Sequence, residues 1–256
     1  MKIKLFPKDS FDSKSIETIN KLMDIAKNKL NEIGISLPKE IEFYDDLNLF
    51  IKRILPQVKN YGLTENQSKE FIKSSLNSGT YGTFNIDDNS IIEMNFNPYF
   101  KTFYPSIHFL KLLIHESLHL FLYSKIKRNI YNDKFRFKNG EYIGKEKIIQ
   151  LDEGFAEFLT EKILENFEFD TIKELPIYSE LNKIPKYKKE VEGLNLDKFN
   201  DKFDILYEYN SKKGYELIEK KFNKLEGDLK EKIKRLISYV SEEIENLLNI
   251  NEISLI

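Results

Sequence analysis

The chain has no cysteine. That excludes disulfides, thiolate metal sites and thiol nucleophiles, and leaves any metal to imidazoles and carboxylates. There is no tryptophan, and there are only three histidines. Neither sign of charge prevails: 40 Lys and Arg face 42 Asp and Glu, a formal net charge of −2, so no global field favours nucleic acid or an anionic membrane. No apolar run approaches the roughly 20 residues of a membrane span, and the opening Met1-Lys2-Ile3-Lys4 lacks the apolar stretch of a secretory leader. The expectation is a cytoplasmic protein with neither nucleic-acid nor membrane partners. Nothing in the charge pattern specifies an oligomeric state.

What is present describes a folded protein. Hydrophobic residues make up 41%, and 20 Phe with 14 Tyr can fill a core without tryptophan. At 256 residues the chain suits one domain or two closely packed lobes.

Periodicity gives the outline. Lys2 to Phe6 alternates like a short strand. Phe11 to Ile33 carries Ile16, Ile19, Met23, Ala26 and Leu30 at near-helical spacing and stops at Gly34. Ile41 and Phe43 mark a second strand, followed by a helix from about Asp46 to Lys59 and a break at Tyr61-Gly62. Thr64 and Gln67 form a capping box for a helix to about Asn77. Thr80 to Ile86 and Ile91 to Asn97, joined by a turn, read as a β-hairpin. Ser106 caps an apolar helix from Ile107 to about Lys125. Residues Lys127 to Lys147 read as a polar insertion or mobile loop, Ile148 to Phe167 as a helix, and the rest as mostly helical apart from a Pro-interrupted segment around Leu175 to Pro185. The expected fold is α+β and mostly helical. An N-terminal α/β subdomain (1–126) with a small antiparallel sheet precedes a helical C-terminal subdomain (127–256).

Chemistry concentrates in His115-Glu116-Ser117-Leu118-His119. On a helix, imidazoles at i and i+4 share one face and can converge on one ion, while Glu116, rotated by about 100°, can reach a water beside it. A catalytic zinc wants a third protein ligand and an open position. His108 lies two turns away, about 10 Å along the axis, too far to join the other two. The bland alternative is a coincidental pair of core histidines.

The helix after the insertion contains Asp152-Glu153-Gly154-Phe155-Ala156-Glu157. With this segment downstream of His-Glu-x-x-His, the chain resembles the gluzincin clan of metallopeptidases, in which a Glu-Gly-x-Ala helix supplies the third ligand. The resemblance covers these two helices. It implies a zincin-like fold, Zn2+ held by His115, His119 and Glu153, and Glu116 as general base in hydrolysis of a peptide or protein substrate. It further implies a hydrogen bond from a ligating imidazole to Glu157, an oxyanion-stabilising tyrosine, with Tyr207 preferred over Tyr209 and Tyr215, and an edge strand at Ile91 to Asn97 that pairs with substrate. Gly154 and Ala156 are small enough to let their helix approach the first closely. Residues 120 to 152 form a longer gap than in familiar members, which the polar stretch absorbs at little entropic cost. The same ligands would accept cobalt or manganese. Two other readings fit the motif: a zinc-containing peptide-binding or regulatory module, and a narrowly specific regulatory protease.

Overall fold

The computed structural model describes residues 2–6, 13–44, 46–77, 82–85, 89–94, 96–97, 102–103, 106–126, 130–139, 141–168 and 201–253. In chain order the elements are β1 (Lys2–Phe6), α1 (Ser13–Glu32), β2 (Glu40–Tyr44), α2 (Leu47–Lys59), α3 (Glu65–Asn77), β3 (Gly82–Asn85), β4 (Ser90–Met94), β5 (Phe96–Asn97), β6 (Thr102–Phe103), α4 (Ser106–Ile126), α5 (Tyr131–Lys134), β7 (Phe137–Lys138), β8 (Glu141–Tyr142), α6 (Glu146–Leu164), α7 (Asp201–Asn223) and α8 (Leu229–Ile253). It is a mostly helical α+β protein with a small mixed sheet and a helical C-terminal region. The segment Leu175 to Pro185 lies outside the described residues.

Helix boundaries follow local chemistry. α1 buries Ile19, Leu22, Met23, Ala26 and Leu30, one stripe of an amphipathic helix. It ends in a Schellman motif: Gly34 takes φ +80°, its N–H donates to the Asn31 carbonyl, and the Ile35 N–H donates to Leu30. The Asp46 side chain accepts the Leu49 N–H at 2.9 Å to open α2. The capping box is in place, with the Thr64 N–H donating to Gln67 Oε1 (3.0 Å) and the Gln67 N–H to Thr64 Oγ1 (3.4 Å).

The main sheet has the order β1-β2-β4-β3. β2 runs parallel to β1 and to β4, and only the hairpin pair β3–β4 is antiparallel. The expectation of an antiparallel sheet is corrected accordingly. α1 carries the chain back between β1 and β2, and a returning helix yields a parallel neighbour; the short β3–β4 connection, with Asn89 at φ +50°, reverses direction.

α4 is buried on most sides: Phe109, Leu110, Leu113, Ile114, Leu118 and Leu122 are at most 1% exposed. It runs against the sheet, α1, α6 and α8. One hydrophobic cluster draws residues from either side of residue 126. The polar stretch read as an insertion or mobile loop instead contains α5 and the β7–β8 hairpin. The Phe137 N–H donates to the Tyr61 carbonyl (2.8 Å), and Lys145 Nζ donates to the Leu247 carbonyl of α8 (2.7 Å). Among the described residues no helix is long and apolar enough to cross a membrane.

α6 and α7 cross at the glycines. A Cβ on Gly154 would lie 2.5 Å from the Gly214 carbonyl oxygen and 2.7 Å from its Cα, and one on Gly214 would lie 2.8 Å from Gln150 Cα. The small size of Gly154 therefore serves α7, a correction to the expectation that it admits α4. The Gln150 amide donates to Asn210 Oδ1 at 2.6 Å across the same interface.

Candidate metal centre

α4 and α6 pack side by side in the core, and their polar residues meet. His115 and His119, one turn apart, bring their Nε2 atoms to 3.0 Å. From α6, Glu153 Oε2 lies 3.6 Å from His115 Nε2, and Oε1 lies 3.7 Å from His119 Nε2. One ligand atom from each of the three falls within 4.8 Å of the others. Ligands at about 2.1 Å from a common ion in tetrahedral array stand roughly 3–4 Å apart, so these separations and this N,N,O donor set suit a single zinc-like ion.

Glu116 lies close enough to feel the charges of both imidazoles and of Glu153. It is buried, and among the described residues no side chain donates a hydrogen bond to its carboxylate. Burial pushes its pKa up, opposed by the nearby imidazoles of His119 and His115.

Around the ligands lies a hydrogen-bonded network centred on Asp152, which is fully buried. Its carboxylate accepts from His119 Nδ1 (2.7 Å), from the Tyr123 hydroxyl (2.9 Å) and from Lys134 Nζ (2.5 Å). Because a carboxylate only accepts, His119 carries a proton on Nδ1, and once neutral it leaves the Nε2 lone pair for the site. Lys134 also donates to Glu153 Oε1. Glu157 Oε2 stands 3.5 Å from His115 Nδ1, at the more exposed edge. The Phe84 ring of β3 stacks on the His119 imidazole with centroids 5.5 Å apart.

The electrostatics favour charge on both imidazoles and on Asp152 and Glu153. Burial lowers the His115 pKa, but the carboxylates of Glu153 and Glu157 beside its ring nitrogens outweigh it and hold the imidazole up at about 10. Burial likewise opposes charge on His119, and Asp152 and Glu153 raise it to about 9. Burial is also the largest influence on Glu153 and Asp152, but the cations Lys134 and His119 overcome it, holding Glu153 well below its usual range and Asp152 below its own.

No family model, curated protein or solved structure matches this chain. The residues themselves must therefore carry the functional argument.

The structure brings His115, Glu116, His119, Glu153 and Glu157 together. Tyr207 is half-buried and stacks on Phe135 at 5.9 Å, beside Lys134. Tyr209 is 61% exposed, and the Tyr215 hydroxyl donates to Glu161 Oε2 at 2.5 Å. The side chain of His108 lies outside the described residues. The strand expected at the sheet edge is corrected: β4 sits between β2 and β3, and the edge next to it is β3. The side chains of 93–97 lie outside the described residues. Three members were missed by the sequence. Tyr123 had a signal, one turn after His119 on the same face; Asp152 had a weaker one, adjacent to Glu153. Lys134 had none, because it arrives from a stretch whose composition reads as loop.

Proposed function

We propose that the chain is a metallopeptidase of zincin-like fold that hydrolyses peptide bonds of a peptide or protein substrate. The observation that carries this reading is the convergence of His115, His119 and Glu153 near a buried carboxylate, Glu116, to which no side chain among the described residues donates a hydrogen bond. A purely structural metal site has no need of such a group.

A bound zinc ion would supply Lewis acidity towards a substrate carbonyl and acidify water. The remaining tasks belong to the chain. Asp152 fixes the tautomer of His119, and Glu157, 3.5 Å from His115 Nδ1, places a carboxylate beside the second imidazole. Glu116 takes the proton from the attacking water and passes it to the departing amine; burial raises its pKa above the usual carboxylate value, which makes it a better proton acceptor. The Phe84 ring and the apolar face of α4 keep the imidazoles in one rotamer and limit water.

Glu116→Gln tests this. The variant retains zinc at the wild-type level and its cleavage of a diverse peptide library falls by at least about 100-fold. Cleavage at the wild-type rate would remove Glu116 from the mechanism. A wild-type protein that binds library peptides with zinc present and cleaves none would favour a binding module.

A further inference from the structure

We propose that Lys134 is a built-in counter-charge that limits how tightly this centre holds a divalent cation. The role rests on the divalent-metal reading of the same site.

Lys134 is 1% exposed. A buried ammonium is costly unless paired, and Lys134 donates to Asp152 Oδ2 (2.5 Å) and to Glu153 Oε1. One partner is a proposed metal ligand, and the other orients the imidazole of a second. The ammonium thus shares its carboxylates with the position to which His115, His119 and Glu153 point. It reaches them from α5, outside the two helices that carry the ligands.

The charges make the consequence definite. Glu116, Asp152 and Glu153 are 7%, 0% and 8% exposed. With these three ionised and both imidazoles neutral, as ligation of a metal requires, Lys134 brings the buried total to −2, which one dication cancels. Without the ammonium that total is −3, and a dication that displaces the imidazole protons is attracted more strongly. A lysine that merely positioned Glu153 would act the other way, since its loss would free the ligand to swing and weaken metal binding. The sign of the affinity change separates the two roles.

Wild type, Lys134→Met and Lys134→Gln are prepared without metal. Zinc affinity is measured by competition with a chromophoric chelator, and thermal midpoints are taken with and without zinc. Wild type binds one zinc, and both variants bind it at least about ten-fold more tightly. Zinc raises their midpoints by more than it raises that of wild type, and a Lys134→Met chain that loses structure without zinc regains it when zinc is added. Affinity in Lys134→Gln equal to or weaker than wild type, with Lys134→Met agreeing or staying unfolded in saturating zinc, overturns the role of Lys134 and leaves the metal centre standing. A wild-type chain that takes up no zinc removes both.

Discussion

Asp152→Asn changes one charge and almost no volume, yet it should disturb the site more than any other conservative substitution. Asp152 accepts three hydrogen bonds, from His119 Nδ1, Tyr123 and Lys134. An asparagine offers one carbonyl oxygen and one NH2, so its donor face must point at one of these partners. The Tyr123 hydroxyl can turn to accept, but the ammonium has no acceptor, and His119 can accept only in the tautomer that spoils its Nε2 lone pair. Lys134 also loses one of its two carboxylates, where both it and Asp152 are at most 1% exposed. Breaking a buried ion pair from one side costs about 3–5 kcal/mol. With Glu153 still pairing Lys134, about 3 kcal/mol is the appropriate figure, and the melting midpoint of the metal-free protein falls by roughly 6–12 °C. Zinc affinity falls roughly 10–100-fold, as expected when the group orienting a ligating imidazole is impaired. Circular-dichroism melts and chelator competition read the two effects. Affinity within about two-fold of wild type would refute the claim that Asp152 orients His119 for metal.

Gly154→Ala forces a Cβ onto the Gly214 backbone, where no side chain can yield, and destabilises by about 3 kcal/mol in chemical denaturation; a midpoint unchanged from wild type would mean that α6 and α7 separate freely. The imidazoles give a pH dependence. Their native pKa values of about 10 and about 9 lie above the unfolded value near 6.5, so their contribution to metal-free stability is complete below pH ~6.5 and is lost as pH rises through about 9 to 10. Denaturation of metal-free protein across that range should show the decline, and a flat profile would contradict it. Zinc requires both imidazoles neutral, so its affinity rises with pH over the same window, by up to about two decades per unit near neutrality; chelator competition at several pH values checks this.

Elements whose pattern is local were legible in the sequence. α1 with its stop at Gly34, the Thr64–Gln67 box and the β3–β4 hairpin each depend on residues within one helix or one turn, and they stand where periodicity placed them, except that β4 ends at Met94 and Phe96–Asn97, expected to continue it, pairs with β6 instead. Strand order was not legible, because β2 chooses β1 and β4 as neighbours through packing of α1, α2 and α4. The pairing of His115 with His119 was legible from i, i+4 spacing, and Glu153 from the resemblance of its helix. Lys134 was not: a lysine in a polar stretch looks like any solvated lysine until the fold buries it against Asp152 and Glu153. Gly154 was recognised as a place of close approach but assigned to the wrong neighbour, since the sequence does not say which face of α6 meets α4 and which meets α7.

The central claim, a three-ligand metal centre, is tested most directly by the zinc content of wild type beside His119→Ala and Glu153→Ala, each purified without added metal and then reconstituted. The account predicts about one zinc per wild-type chain, lost or held much more weakly in both variants. Zinc retained without Glu153, or none taken up by wild type after reconstitution, would contradict it.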